Sequence, residues 1–451
     1  MAMAVELLYR YARPSTVGDD GVALATDGLL DPTVFFDGFV ESPDQAAVAL
    51  LTVARVARTR FYETPNVIAA RIAAADPVVT SGPTALRFES FSACAGVHAR
   101  FDALPEGLDT RRSAPGTVNV DFNPPMREAL ARVAGSQPLR MKVGFDAVEV
   151  ETFDGAVQER RVPLPERWFK GFSEVQVAAA RMEPVAEVRG VETMRFLRGL
   201  PRGAGGRSTL WAVPSGKGLR LAARATPRAL AVAAPERLRV LEPVARFVKA
   251  LRGYGAPGEE AATTWVAELA GARLTVTLSP ALSRGFSGEG GLLHDLADET
   301  LGIEAEFLDA SLAGRWTLTD DDLRATGMTA ERARRALSWL GAHGRLGFDV
   351  VEGTYFRREL PFPPAALTAD PPRLRDARKL QAQGAVRLVD EHAAHVESGG
   401  ATYEVREGGR CTCPWWARHA GDRGPCKHVL AVALERAHHA RPPMRAGSTV
   451  A

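Results

Sequence analysis

Three of the four cysteines in this 451-residue chain lie in one short stretch near its C-terminus. Cys411 and Cys413 form one couple, and Cys426 and His428 form a second couple after a spacer over 414–425. Side chains two residues apart on a strand point to the same face, so the first two sulfurs can meet one ion. We expect Cys426 in a turn and His428 in the first turn of the helical run "VLAVALERA", so that they converge from two directions. Three thiolates and one imidazole are the donor set of a closed, four-coordinate structural Zn²⁺ site.

Other uses of these side chains stay open on sequence grounds. The three thiols could form one disulfide and leave a free cysteine, although disulfides rarely persist in the cytosol. A redox couple is more usually spaced C-x-x-C than C-x-C. His419, inside the spacer, is a substitute imidazole ligand. We expect one structural zinc ion, because small modules of this kind fold around their metal.

The order C-x-C, spacer, C-x-H resembles the SWIM-type zinc finger over about residues 380–440, where "CTCPWW" and "GPCKHVLAV" match that family's local sequence. This resemblance implies zinc at Cys411, Cys413, Cys426 and His428, in a module that binds DNA or protein and does not catalyse. A longer likeness runs through "LRFESFSACAGVHARFD", "VDFNPPMR", "SRGFSGEGGLL" and "GRLGFDVVEGTYFRRELPF". These stretches are similar to bacterial SWIM-finger proteins encoded beside MoxR-type ATPases and von Willebrand A-domain proteins. The likeness implies a partner of that class, an AAA+ ATPase or a von Willebrand A-domain protein, and no mechanism.

The elements that must position the ligands predict an α+β multidomain fold with a mixed α/β N-terminal body. "FDAVEVETFDGAVQERRVPLP" and "STLWAVPSGKGLRLAARA" are typical of β-hairpins. "PERLRVLEPVARFVKAL" predicts a helix that ends at Gly253. The finger should consist of short strands and one helix, and the connector before it should be extended rather than helical. In chain order we expect mixed α/β regions over 1–160 and 161–312, a winged-helix-like segment over 313–362, a proline-rich connector over 363–377, the SWIM-type finger over 378–440 and a disordered tail over 441–451.

The segment over 313–362 has the element order of a winged helix. "LTDDDLRATG" predicts a short helix, Thr329 caps the helix "AERARRALSWLGAHG", and "RLGFDVV" with "TYFRREL" predicts a hairpin. A winged helix can bind DNA through its second helix and its wing. Three successive carboxylates, Asp320 to Asp322, lie on the helix that would cross the phosphate backbone. This negative charge favours a protein-contact module over a DNA reader.

Basic and aromatic side chains on the winged helix and around the zinc couples are candidates for contact with nucleic acid or a protein partner. The arginines of the second helix avoid its apolar stripe, and Arg357 and Arg358 could reach phosphates from the wing. The tryptophans could stack on bases or cover the zinc site. The candidates are Arg332, Arg334, Arg335, Arg357, Arg358, Trp415, Trp416, Arg418, Arg423 and Lys427.

The rest of the chain offers little for catalysis. The glycine-rich "SRGFSGEGGLLHDLADE" lacks the Lys and Ser/Thr of a phosphate loop and carries Glu289 instead. Cys94 and His98 have no visible third partner. His392 and His395 lack acidic or sulfur companions at ligand spacing. We expect no catalytic residue and no organic cofactor.

The composition of the chain limits the classes of partner that it can bind. The formal net charge is +2, from 56 basic and 54 acidic side chains, which excludes a polycationic coat for nucleic acid. Neither a signal peptide nor an apolar run long enough to cross a bilayer is present, so we expect a cytoplasmic protein without a membrane partner. The expected function is that of a zinc-binding, non-enzymatic adaptor for another protein. The alternative is DNA binding by the winged helix and the finger together.

Overall fold

The computed structural model describes residues 16–18, 21–23, 33–61, 77–135, 137–164, 166–202, 209–280, 285–286, 298–360, 372–419 and 424–439. It has a mixed α/β body, a winged-helix unit and a finger, and each contains a hydrophobic core cluster of its own. The multidomain α and β architecture predicted from the sequence is therefore confirmed. A short hairpin, Thr16–Gly18 (β1) and Gly21–Ala23 (β2), precedes the body.

The body begins with two copies of a strand–helix–three-strand order, joined by the strand Leu108–Ser113 (β7). The first copy consists of Val34–Val40 (β3), Pro43–Arg58 (α1), Val78–Gly82 (β4), Ala85–Phe91 (β5) and Val97–Ala103 (β6). The second copy consists of Gly116–Asn119 (β8), Pro124–Arg132 (α2), Arg140–Gly144 (β9), Ala147–Thr152 (β10) and Gly155–Arg160 (β11). The two copies exchange their first strands, because β3 pairs with β9 and β8 pairs with β4. Neither copy can complete its sheet alone.

The remainder of the body extends the same architecture. Its elements are Glu166–Ala179 (α3), Glu183–Arg189 (β12), Val191–Arg198 (α4), Thr209–Ser215 (β13), Gly218–Ala222 (β14), Leu230–Ala233 (β15), Ala250–Gly255 (β16), Thr263–Leu269 (β17) and Ala272–Leu278 (β18). Strand β18 pairs with β6 along its whole length, which creates an eight-stranded sheet in the order β12-β16-β17-β18-β6-β5-β4-β8. The expected division at residue 160 therefore does not separate two structural units, since both regions contribute strands to this sheet and to one core.

The two predicted hairpins are confirmed as β10–β11 and β13–β14. The predicted helix that ends at Gly253 is wrong. Residues Pro235–Phe247 form a 3₁₀ helix, and Gly253 lies inside β16. Pro243 removes a backbone donor from the helical run. A Cβ on Gly253 would approach Leu230 to 2.5 Å, so the glycine allows close packing of a strand rather than ending a helix.

The winged-helix unit spans 298–360. Its elements are Glu299–Ser311 (α5), Thr317–Leu318 (β19), Asp320–Ala325 (α6), Ala330–Ala342 (α7), Leu346–Asp349 (β20) and Thr354–Arg357 (β21), with the sheet order β19-β21-β20. The Thr329 hydroxyl accepts the Arg332 N–H at the start of α7, as the cap prediction requires. Helix α5, which the sequence assigned to the preceding region, belongs here because Leu301 and Leu308 share a core with Leu337.

The finger spans 372–439. It consists of Pro372–Ala382 (α8), Val386–Leu388 (β22), Ala393–Ser398 (β23), Ala401–Arg406 (β24), Arg410–Cys411 (β25), Pro414–His419 (α9) and Lys427–His439 (α10). The prediction of an extended connector is wrong for 372–377, since these residues open α8. Leu374, Ala377 and Leu380 recur every three residues and are buried in the core of the finger. The expected tail over 441–451 lies outside the described residues.

Candidate metal centre

Two neighbouring chain segments bring the four predicted ligands together. Cys411 ends β25 and Cys413 follows two residues later, while Cys426 immediately precedes α10 and His428 lies in its first turn. Their exposed fractions are 6%, 1%, 1% and 4%, and their ligand atoms lie within 4.8 Å of one another. Cys411 Sγ is 3.7 Å from His428 Nδ1, close to the edge of about 3.6 Å in a tetrahedral zinc site with sulfur and nitrogen ligands. The four residues are positioned to hold one zinc ion.

Helix starts hold two of the sulfurs in place. The Trp416 N–H donates to Cys413 Sγ over 3.4 Å, and the Val429 N–H donates to the Cys426 sulfur. The positive end of a helix stabilises a thiolate, so α9 and α10 each help to keep one ligand ionised. The sequence did not predict α9, because its six residues show no helical periodicity of their own.

The three thiols lie close enough to change one another's ionisation. The hydrogen bond from Cys411 to Cys426 raises the pKa of Cys411 and, together with His428, lowers the pKa of Cys426 to about 4 against the opposing effect of burial. Burial raises the pKa of Cys413. Thiols packed this closely cannot all ionise without a cation among them, which is the condition that Zn²⁺ satisfies. All four cysteines are free, so the disulfide alternative is not realised.

Two residues that support the site were missed at the sequence level. The Tyr403 ring stacks on the His428 imidazole at 4.5 Å with an interplanar angle of 23°. His428 Nε2 is buried and has no hydrogen-bond partner among the described residues, so stacking takes the place of the usual hydrogen bond that orients a ligand histidine. Arg373 donates to the carbonyl of Pro425 over 2.8 Å and lies 4.8 Å from the Trp415 ring. The alternation of β24 could have indicated Tyr403, but Arg373 lay in the supposed connector.

The other candidates in the finger surround this centre. Trp415 and Trp416 are half-buried against its core, Arg418 is exposed and Lys427 is half-buried. Arg423 lies outside the described residues. The substitute ligand His419 packs edge-to-face on Trp415, at 4.9 Å, and does not join the ligand cluster.

The arginines of the winged helix are engaged within the protein. Arg332 pairs with Asp298 and Glu304, and Arg335 also pairs with Asp298. Arg357 pairs with Asp309 of α5 and donates to the carbonyl of Leu312 over 3.0 Å. Arg334 is exposed. The expected contact surface therefore consists largely of guanidinium groups that already have partners.

The prediction that Arg358 reaches a partner from the wing is wrong. Arg358 is 4% exposed, donates to Glu89 over 2.8 Å and lies 4.5 Å from the Phe172 ring. Burial opposes the ionisation of Glu89, but Arg358 and His98 outweigh it and lower its pKa to about 2. A carboxylate on β5, far away in sequence, thus binds the wing to the body.

Further buried charges line the same interface. Asp349 of β20 lies 3.2 to 3.6 Å from the guanidinium groups of Arg273, Arg87 and Arg100. Asp102 in turn accepts from Arg100 over 3.0 Å. All of these residues are at most 6% exposed. The face of the eight-stranded sheet is therefore joined to the winged-helix unit through a buried ionic cluster.

Both parts of a winged helix that bind DNA contact the body. The Gln176 amide of α3 donates to the carbonyl of Leu337 in α7 over 3.2 Å, and the Ser173 hydroxyl donates to Gly341. On the wing, Val350 packs with Tyr254 and Val266 of the body. One side of the second helix and the turn of the wing thus lie in an intramolecular interface.

The weaker sequence candidates have separate surroundings. His98 lies 3.3 Å from Glu89, and burial lowers its pKa, whereas Cys94 lies next to Ser92 and Arg237. In the finger, His392 pairs with Glu391 and Glu407, and His395 hydrogen-bonds Arg387. These contacts account for the histidines without a second metal.

Comparison with known proteins identifies the finger. A family model described as SWIM zinc finger matches residues 405–437, the part of the chain that carries all four ligands. This match covers only a small part of the chain, so it identifies a module. None of the curated proteins matches the sequence.

Among solved structures, the chain is similar to the proliferating cellular nuclear antigen of Entamoeba histolytica, with 10% identity and a TM-score of 0.36 over 55% of this chain and 99% of that one. A structure of the C-terminal region of FEN-1 bound to A. fulgidus PCNA gives 11% identity and a TM-score of 0.36, over 55% and 98%. Similarity at this level supports no functional conclusion. Among the described residues, none of the helices combines the length and apolar character needed to span a bilayer.

Proposed function

We propose that this chain is a zinc-binding, non-enzymatic adaptor that binds another macromolecule, and that its partner is a protein of a MoxR-type ATPase and von Willebrand A-domain system. The observation that carries the proposal is the buried cluster of Cys411, Cys413, Cys426 and His428 in a module with its own core. Four protein ligands leave a zinc ion no open position for substrate, so such a metal is structural. The partner class rests on the sequence resemblance alone.

The surface around the metal suits a binding module. Trp415 and Trp416 present half-buried rings, Arg373 lies 4.8 Å from the Trp415 ring, and Arg418 and Lys427 are close to the ligands in sequence. Three thiolates on Zn²⁺ leave a net negative centre, which these cations offset. Aromatic and guanidinium groups are enriched in the contact surfaces of proteins.

The alternative of DNA binding by the winged helix and finger together is less favoured. The winged-helix unit, 298–360, contains twelve acidic and eight basic residues, a net charge of −4. Phosphate contacts require the opposite sign. The intramolecular contacts of α7 and the wing reduce the surface that remains available to a DNA duplex.

The absence of catalysis is supported by the location of the perturbed ionisable groups. Glu89, Arg358 and Asp349 have strongly altered environments, but Glu89 pairs with Arg358 and Asp349 pairs with three other arginines inside an interface. An active site instead presents such groups in a cleft.

A capture experiment tests the proposal. Tagged wild-type protein, Cys426→Ser and the matched control Cys94→Ser should be incubated with native lysate of the source organism, and retained proteins identified by mass spectrometry. We expect an ATPase or von Willebrand A-domain protein with wild type and Cys94→Ser, and its loss with Cys426→Ser or a chelator. Equal capture by all three proteins would contradict a zinc-dependent adaptor.

A further inference from the structure

An apolar groove lies between α5 and the start of α7, away from the zinc centre. It has a volume of about 370 Å³ and is lined by Ile303, Glu304, Phe307, Met328, Thr329 and Arg332. Ile303 is 76% exposed and Phe307 is 57% exposed. Large apolar side chains grouped around a concave surface mark a site of interaction more often than a lone exposed residue does.

The groove follows from the way α5 packs. Ile303 and Phe307 are four residues apart, so they form one stripe on the helix. Leu301, Ala305 and Leu308 form the opposite stripe and are fully buried in the core of the winged-helix unit. Helix α5 is therefore apolar on two faces, and only one of them is covered by the described part of the chain.

The charges of the groove and its surroundings restrict the occupant. Arg332 Nε lies 2.7 Å from a Glu304 carboxylate oxygen, so the two charged lining residues neutralise each other. Outside the lining, the unit has a net charge of −4. Glu331 is exposed next to Arg332, and Glu306, next to Phe307, is exposed although it also pairs with Arg345. The surface thus complements a ligand that is apolar where it enters the groove and basic around it.

We propose that this groove docks a basic amphipathic helix of a protein partner. Two large apolar side chains of that helix, one turn apart, pack between Ile303, Phe307 and Met328, and its lysines or arginines face the surrounding carboxylates. This is the helix-in-groove mode of recognition. The inference rests on the proposed function in that the chain binds a protein, and it adds a second contact surface that does not depend on zinc.

The probe is a fluorescein-labelled peptide of about 14 leucines and lysines in amphipathic helical order, and binding is read by fluorescence anisotropy at low salt. The test protein is the full chain with Ile303→Ser and Phe307→Ser together. The matched control is Phe153→Ser, which removes a 78% exposed phenylalanine on another surface. We expect the double variant to bind the peptide about 10-fold more weakly and the control to bind it as wild type does, because only the double variant removes apolar side chains from the groove. A peptide with glutamate in place of lysine should also bind about 10-fold more weakly to wild type.

Equal binding by the double variant, or preference for the glutamate peptide, would overturn the proposal. The proposal would also be overturned if wild type formed a dimer and the double variant were a monomer, because a second copy would then fill the groove. It would likewise be overturned if duplex DNA competed with the peptide for wild type but not for the double variant. Thermal unfolding of each variant checks that the fold is intact, as expected for exposed positions.

The same peptide measured on Cys426→Ser separates this inference from the proposed function. Peptide binding should survive the loss of zinc. If the peptide binds in the groove while capture from lysate fails, the groove stands and the adaptor proposal falls. If capture from lysate succeeds but the groove variant binds the peptide as wild type does, the adaptor proposal stands and the groove proposal falls.

Discussion

The finger and the winged-helix unit are of similar length, and they are held in place by different means. The finger converges on four ligands within 411–428 and has a core of its own. The winged-helix unit is bound to the body through Glu89, Asp349 and Arg358, and through hydrogen bonds from side chains of α3 to carbonyls of α7. A structural zinc ion supplies apparent binding energies of about 10–16 kcal/mol, whereas buried ion pairs roughly balance their desolvation cost. A local motif can therefore organise a module around its metal, whereas a docked module depends on partners from distant parts of the chain.

The largest effect should come from removing a zinc ligand. Cys426→Ser leaves three ligands, so we expect the metal to be lost and the finger to unfold while the body and winged-helix unit stay folded. Elemental analysis measures the loss of metal, and limited proteolysis shows which parts of the chain have unfolded. Cys94→Ser should keep about one equivalent of zinc. Unchanged metal content or an unchanged cleavage pattern in Cys426→Ser would refute the division into an autonomous finger and a dependent unit.

The second effect concerns the docked unit. Glu89→Ala leaves the Arg358 guanidinium buried without its carboxylate, which should lower the free energy of unfolding by about 3–5 kcal/mol. Glu187→Ala, at a 40% exposed carboxylate paired with Arg252, should cost at most about 1 kcal/mol. Denaturant unfolding followed by tryptophan fluorescence compares them. If both variants lose the same stability, the interface is not held by its buried charges.

The third effect is a pH dependence of the same cluster. The pKa of Glu89 is lowered to about 2 in the folded protein, below the value of 4.5 that is ordinary for the group. Its contribution to stability is therefore complete above about pH 5 and is lost as the pH falls towards 2. Stability measured across this range should fall more steeply for wild type than for Glu89→Gln, which cannot titrate. Parallel curves would show that Glu89 carries no such contribution.

The smallest effect sharpens the account of the finger. Tyr403→Ala should release zinc about 10-fold faster, because the His428 ring loses its stacking partner, and Tyr403→Phe should restore the wild-type rate. His419→Ala should leave the rate unchanged. A chromogenic chelator assay follows the release. If Tyr403→Phe is as impaired as Tyr403→Ala, the hydroxyl rather than the ring matters, and the stacking explanation fails.

The correct sequence predictions share a short range. The zinc ligands, the Thr329 cap and the β10–β11 and β13–β14 hairpins each depend on residues close in sequence, where strand alternation, helix capping and turn chemistry apply directly. The wrong predictions concern residues whose position is decided by contacts with residues far away in the sequence. Arg358 was predicted on the wing surface, but its partner Glu89 lies 269 residues away. Gly253 was predicted to end a helix, but it lies in a strand under Leu230.

The sequence by itself determined the metal ligands, the strands and last helix of the finger, and the order of the two helices and hairpin of the winged helix, since neighbouring residues suffice for a tetrahedral site and for periodic local structure. It did not determine α8 and α9, the other two helices of the finger. Only the tertiary structure decided that α5 belongs to the winged-helix unit, that the two strand–helix copies exchange their first strands, and which side chains remain on the surface. Burial depends on which distant element covers a face, and pairing between remote strands or charges leaves no periodic trace in one chain's sequence.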